Sequence, residues 1–417
     1  MQLLIIADDF TGALDVSVQF APYDVKLKVI TGSVIAEELF AQEGVDILVV
    51  DTETRHQSPQ AAADAVNGLM WMAKRYSVGH VYVKVDSGLR GNVGVTLSSA
   101  LTASGENFLA FAPAFPEMRR VTEGGVQFWD GTPIHQSAFR EDPFDPVRDA
   151  NIADLFRGCA VDTRLYARNI AYDTAVTAPT VGIFDVCDNG DFTRIADHLQ
   201  ANGQMKLLAG CAAFAAVYPA LFRLPARVSA EPLPSHALLV LCGSLNAMAR
   251  KQLAFAESQG FEKITLTRRQ QAEPSLLGTG EGETLLNRLA DALNGERNVI
   301  LETSAIGDRS SAKLWPADRE SKQKVSDAIA TRMGEVLCAL LQRGCLNGYT
   351  TMVVGGDTLL GVMRQLGYPE ITVRQEIEPG IVLFTIEHQG RVNWMISKAG
   401  SFGDFELLHR MTAQPVR

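Results

Sequence analysis

HVYVKVDSGLRGNVGVTLSSALTASGENFLAFAPA, residues 80–114, contains a strand pattern, a polar turn, a helical pattern and a second strand pattern in immediate succession. The run HVYVK ends at Lys84, a helical pattern extends from Gly91 to Ala103, and FLAFA follows. Two strands joined through a helix must lie parallel, because a hairpin needs only a tight turn. FLAFA is apolar throughout and HVYVK is apolar in its interior, Val81 to Val83, without alternation, which is the pattern of strands covered on both faces. The same rhythm extends outward: LLIIA (3–7) precedes a helical pattern from Gly12 to Ala21, and ILVVD (47–51) precedes one from Pro59 to Arg75. Further on, TVGIFDV (180–186) precedes Asp191 to Ala201, and then LLAGCAAFAA (207–216). These repeats predict an α/β fold with mainly parallel sheets.

Pro113 to Asp149 breaks the rhythm with Pro, Gly, Arg and aromatic residues. It reads as a long functional loop region with a hairpin at FWDGTPIH, where Asp130-Gly131 is a turn signal. LPARVSAEPLPSH (224–236) packs three prolines between two apolar patterns and reads as a linker. A second α/β run follows it: ALLVLCG with a helix from Asn246 to Gln259, KITLT, a helix over Glu281 to Leu293, NVILETS, a helix from Ser321 to Gln342, TMVVGGD with a helix to Leu366, and VNWMISKAGSFG. The expected organisation is therefore two α/β domains, residues 1–230 and 236–417.

The chain has 417 residues with 47% hydrophobic and 21% charged side chains, the composition of a globular protein of two or three domains. A net charge of −10 argues against broad nucleic-acid binding, which needs a basic surface. The longest uncharged run, Leu207 to Leu221, contains a proline and falls short of the ~20 apolar residues of a membrane span. MQLLIIADDF reads as a buried strand and not as a signal peptide. The six cysteines show no CxxC spacing, which fits reduced thiols in a cytoplasmic protein, and the seven histidines show no metal spacing.

In open α/β sheets ligands bind at the carboxyl ends of the strands. The residues there are Asp8, Asp9, Thr11 and Gly12 after LLIIA; Arg55 after ILVVD; and Lys84, Asp86, Ser87, Arg90 and Gly91 around the end of HVYVK, with Arg119, Arg120 and Thr122 after FLAFA. Arg55, Lys84, Arg90 and Arg119 suit a small anion, and Asp8, Asp9 and Asp86 suit hydroxyl groups. Together they describe a site for a small polyhydroxy acid. Each residue taken singly is equally a helix cap or a surface ion pair; it is the recurrence at strand ends that favours a site. In the second half the corresponding positions are Gly243 and Ser244, then Gly355, Gly356, Asp357 and Thr358, then Lys398, Gly400, Ser401 and Gly403. Glycine turns at helix N-termini can cradle phosphates, although no Walker A or GxGxxG sequence is present.

At IIADDFTGALD, TETRH, VKVDSGLRG, FAPAFPEMRRVT with EDPFDPV, LAGCAAFA, LCGSLNAMARKQ, VVGGDT, EIEPGI and SKAGSFG the sequence resembles the four-carbon acid sugar kinase family, in this order over essentially the whole chain. Gly88, Met118 and Leu359 depart from the residues more common in that family. The resemblance implies an N-terminal sugar-acid-binding domain, a C-terminal nucleotide-binding domain and Mg-ATP in an interdomain cleft whose closure excludes water. It implies substrate contacts at Asp8, Asp9, Arg55, Lys84, Asp86, Ser87 and Arg90, and ATP contacts at Ser244, Gly355, Gly356, Asp357, Thr358 and Gly400. Asp9 or Asp86 would orient or deprotonate the acceptor hydroxyl, and Asp357 would help place Mg2+. Partners would be a sugar acid and ATP, with no nucleic acid or membrane and with a homodimer left open. The alternatives are a catalytically silent nucleotide or metabolite sensor and a sugar-acid dehydrogenase, the latter lacking its glycine fingerprint.

Overall fold

Runs of Val, Ile, Leu and Phe become strands because branched and aromatic side chains pack well on a pleated surface. The segments between them, apolar at every third or fourth position, become helices. The computed structural model describes residues 1–31, 37–42, 44–142, 144–168, 172, 175–227, 237–244, 246–303 and 319–413. The chain divides into two compact units, Met1–Arg227 and Val228–Arg417. Of the proline-rich stretch 224–236, residues 228–236 lie outside the described residues.

The strands of the first unit are, in chain order, β1 (Leu3–Ala7), β2 (Leu27–Thr31), β3 (Ile47–Asp51), β4 (His80–Lys84), β5 (Phe108–Ala112), β6 (Arg120–Glu123), β7 (Val126–Trp129), β8 (Thr132–Pro133), β9 (Asp162–Tyr166), β10 (Thr180–Phe184) and β11 (Leu207–Gly210). Eight of them form one sheet in the order β2-β3-β1-β4-β11-β5-β10-β9, parallel at every pairing. Every residue of β1, β3, β5 and β10 is buried, as their apolar runs require. The edge strand β9 is exposed over Asp162–Leu165, where charged side chains blunt its open hydrogen-bonding edge. β3 and β4 flank β1 on opposite sides, with Ala7 level with both Asp51 and Lys84. The strand order therefore reverses at β1, and this is where an open sheet places its ligand crevice.

Pro113 to Asp149 is more ordered than its sequence rhythm implies. β6, β7 and β8 make a separate three-stranded antiparallel sheet. The expected Asp130-Gly131 turn links β7 to β8, both residues at positive φ, and Gly124-Gly125 makes a second such turn between β6 and β7.

The second unit contains β12 (Ala237–Cys242), β13 (Glu262–Thr265), β14 (Val299–Glu302), β15 (Tyr349–Val354), β16 (Ile371–Glu378), β17 (Ile381–His388) and β18 (Arg391–Lys398). They form one sheet ordered β13-β14-β12-β15-β18-β17-β16, parallel except that β17 runs antiparallel to both neighbours. No helix among the described residues is long and apolar enough to cross a membrane. All six cysteines are free thiols.

Candidate functional site

Asp8 and Asp9 leave the carboxyl end of β1, and Asp9 begins the helix Phe10–Ser17 by accepting a hydrogen bond from the Gly12 amide at 2.9 Å. The capping role open to Asp9 from sequence is thus real, and it coexists with a second one. Arg55, just after β3, donates Nε and Nη2 to the two oxygens of Asp8, both at 2.8 Å, and Nη1 and Nη2 to the two oxygens of Asp9 at 2.6 and 2.7 Å. One buried guanidinium therefore locks two adjacent carboxylates. Burial pushes the Asp8 carboxyl up, with Arg55 opposing it.

After β4, Asp86 receives Arg90 Nε at 2.8 Å and Arg90 Nη2 at 3.0 Å, and Arg90 Nη1 continues to Asp142 at 3.1 Å. Burial works against the Asp86 charge, but Arg90 and Arg55 outweigh it and hold the carboxyl well below the usual range. Ser87 Oγ accepts from Arg120 Nη1 at 2.5 Å, and its carbonyl accepts from Gln127 Nε2 at 3.0 Å. Lys84 is 4% exposed. Its ammonium donates to the Val85 carbonyl at 3.0 Å, and no carboxylate stands within 4 Å of it among the described residues. A Cβ at Gly12 would lie 2.8 Å from Lys84 Nζ, so glycine is what lets the lysine reach the start of this helix.

Asp8, Asp9, Arg55, Lys84, Asp86, Ser87 and Arg90 thus gather at the carboxyl ends of β1, β3 and β4. Arg119 does not join them: its side chain is 71% exposed and pairs with Asp130. Its neighbour Arg120, the first residue of β6, is the buried one, whereas Arg119 precedes the strand in a turn at φ +54° that turns its side chain out to solvent. Phe139 packs under both guanidiniums, 5.4 Å from that of Arg90 and 5.0 Å from that of Arg120. A side chain at Gly88 would collide with the Phe139 ring, so the departure at Gly88 and this aromatic plug occupy the same space.

In the second unit three turns leave the sheet side by side, because Cys242 is in register with Val354 and Val354 with Lys398. They carry Ser244, Gly355-Gly356 and Ala399-Gly400. A Cβ on Gly243 would strike Thr358 Oγ1, and one on Gly400 would strike Ser244 Oγ. Gly355 has φ +110°, a conformation that favours glycine, and its amide donates to the Lys398 carbonyl at 2.9 Å. The helix Gly356–Gln365 starts without a side-chain cap, which leaves amide donors of its first turn for an anion. Ser244, Gly355, Gly356, Thr358 and Gly400 therefore converge on one backbone-lined cradle. Asp357, in that first turn, accepts from Ser326 Oγ at 3.2 Å. No group of three or more His, Cys, Asp or Glu residues suited to a metal ion occurs among the described residues. A single carboxylate fits Mg2+, which is commonly carried by one or two carboxylates together with substrate phosphates.

Phe139 and Asp15 escape the strand-end reading, whereas Arg120 and Lys398 are among its residues but have partners that it does not foresee. Lys398 is fully buried and donates to the Ala399 and Gly400 carbonyls at 3.1 and 3.3 Å. Burial pushes its ammonium down to about 8. Phe139 arrives from the irregular segment, where no period points to it. Asp15 is a buried carboxylate inside the helix Phe10–Ser17; the signal was an acidic residue in GALDVSVQF with no basic residue three or four positions away.

Comparison with known proteins adds to this geometry. A family model described as a sugar-binding N-terminal domain matches residues 3–218, and one described as a nucleotide-binding C-terminal domain matches residues 239–408. A D-threonate kinase of Bordetella bronchiseptica is 28% identical over 99% of this chain and 97% of its own. A D-threonate kinase of Salmonella typhimurium is 26% identical over 97% and 96%, and a 3-oxo-tetronate kinase of Pseudomonas fluorescens is 24% identical over 98% and 96%. The fold is also that of a crystal structure from Salmonella typhimurium LT2, with a TM-score of 0.73 and 19% identity over 100% of this chain and 99% of the other.

Proposed function

The chain belongs to the four-carbon acid sugar kinase family, and from that membership we propose that it is an ATP-dependent kinase acting on the terminal hydroxyl of a tetronate such as D-threonate or D-erythronate, in the catabolism of carbohydrate acids. The observation that carries this reading is the first unit's cluster, in which a buried ammonium without a carboxylate partner stands among carboxylates immobilised by arginine. Lys84 supplies positive charge to the acid head of the substrate. Arg55 and Arg90 act chiefly by fixing Asp8, Asp9 and Asp86 as acceptors for its hydroxyl groups. The cradle of the second unit holds the nucleotide through backbone amides, and Ser244, Thr358 and Gly400 shape it.

Phosphoryl transfer is mostly positioning and charge neutralisation. The acceptor oxygen forms a bond to the γ-phosphorus, the bond from the γ-phosphorus to the β,γ-bridging oxygen breaks, and the hydroxyl proton passes to Asp9. Asp86, held ionised by Arg90, orients the acceptor. Asp357 would hold Mg2+, which would supply neutralisation of phosphate charge. The test is coupled ADP release with D-threonate, D-erythronate, L-threonate and 3-oxo-tetronates, set beside NAD reduction with the same acids. Turnover of at least one acid with ADP release and no NAD reduction is the expected result. ATP binding without turnover of any acid would favour a silent sensor, and NAD reduction a dehydrogenase.

A further inference from the structure

The carboxylates of the first unit differ in one respect. Asp8, Asp9 and Asp86 each give both oxygens to guanidinium groups. Asp15, on the helix Phe10–Ser17 that Asp9 caps, is 9% exposed, and its Oδ1 is sealed from solvent with no hydrogen-bond donor. Thr11 Oγ1, four residues earlier and so on the same helix face, is a second buried side-chain oxygen without a partner. Gly12 lies between them in sequence, and it is against Gly12 that the Lys84 ammonium packs. Lys84 is the strongest charged neighbour of Asp15, followed by Asp9, Arg120 and Asp86; Tyr82 and Cys211 also feel its charge. Yet no N···O distance between Lys84 and Asp15 falls within 4 Å, so the two do not satisfy each other. Burial pushes the Asp15 carboxyl up to about 6.

A native interior rarely leaves a polar atom unmet, and an unmet acceptor beside a lysine with donors to spare marks a place built for a ligand atom. We propose that Thr11, Asp15 and Lys84 form a hydroxyl-binding subsite of the sugar-acid site, in which one substrate hydroxyl donates to Asp15 Oδ1 and accepts from Lys84 Nζ while Thr11 Oγ1 meets a second polar atom of the substrate. The inference rests on a sugar acid being the acceptor, as proposed above, and it deepens that reading by naming the hydroxyl contacts. It also predicts discrimination. A site that must hydrogen-bond a hydroxyl rejects an analogue lacking it far more strongly than it would a merely smaller ligand. Deoxy analogues of the preferred acid should therefore bind much more weakly, because they leave Asp15 unmet.

The experiment is calorimetric titration of the four-carbon acids and their monodeoxy analogues into the wild-type full-length chain and into Asp15→Asn, Asp15→Leu and Thr11→Val. KM for ATP and melting temperature at pH 5 and pH 8 are measured alongside. Asp15→Leu should lose at least 50-fold in acid affinity with KM for ATP within twofold, and should melt higher than wild type at pH 8. Thr11→Val should lose several-fold, and at least one deoxy analogue should bind wild type no better than it binds Asp15→Leu. If Asp15→Leu does not fold, Asp15→Asn and Thr11→Val carry the test through acid affinity alone. Variants that melt lower than wild type at pH 8 with acid affinity within twofold would make Asp15 part of the scaffold and overturn the subsite. A wild-type chain that binds none of the acids would overturn the acceptor reading together with the subsite, whereas a wild type that binds them beside unimpaired variants overturns the subsite alone.

Discussion

Arg55 and Lys84 look equivalent as cations at strand ends, but their surroundings separate them. Arg55 neutralises Asp8 and Asp9 through four hydrogen bonds; removing it strands two carboxylates, one of them buried. Breaking a buried ion pair from one side costs about 3–5 kcal/mol. Arg55→Ala should therefore unfold at markedly lower denaturant concentration, whatever it does to substrate binding. Among the described residues Lys84 has only a backbone acceptor, so Lys84→Met should keep most of its stability and lose about 1.5–3 kcal/mol of sugar-acid affinity, the worth of a charge-assisted contact. Urea melts and acid titration of both variants check this, and equal stability losses would place Lys84 in the scaffold with Arg55.

Turns are the elements that decide the nucleotide half. Of the Gly355-Gly356 pair, Gly355 has the positive φ, and Gly356 opens the helix. Gly355→Ala should combine a loss of about 1 kcal/mol or more in stability, the usual cost of forcing a side chain into positive φ, with a raised KM for ATP. Gly400→Ala tests the cradle itself, since its methyl group would displace Ser244 Oγ. Its KM for ATP should rise at least fivefold while KM for the acid changes less than twofold. An unchanged KM for ATP in both variants would move the nucleotide site elsewhere. The small β6-β7-β8 sheet is the corresponding element of the first unit: it turns Arg120 inward onto Ser87, and the segment after it seats Phe139 against Gly88.

At the scale of the whole molecule, burial works against the charge of Asp15 in the first unit and of Lys398 in the second, and these two groups should respond to pH in opposite directions. Asp15 titrates at about 6 in the folded chain against an ordinary 3.8, so between those values the folded state holds more protons and stability falls as pH rises. Lys398 titrates at about 8 against 10.5; there the unfolded state holds more protons, so stability climbs as pH rises through that window. Each shift corresponds to on the order of 3 kcal/mol. In calorimetry of the full chain, Asp15→Asn should stabilise at pH 7 and be neutral near pH 4, and Lys398→Met should flatten the rise between pH 8 and 10.5. Parallel profiles for variant and wild type would mean that these groups do not titrate there.

The parallel sheets were legible in the sequence because buried strands such as LLIIA and ILVVD must be apolar throughout, and the helix Pro59–Arg75 because its period and first-turn proline are local properties. Asp8, Asp9, Lys84 and Asp86 were legible for a related reason, as parallel strands bring their carboxyl ends together whatever the details. What only the tertiary structure decided depends on contacts between distant residues. It chose Arg120 over Arg119, since Arg120 opens β6 and is paired with Trp129 of β7, while Arg119 stands in the left-handed turn before the strand. It made Arg55 a clamp, because the partner carboxylates lie 46 and 47 residues away. It also left Asp15 without a donor, a condition that no sequence spacing records because it depends on every neighbour folded around it.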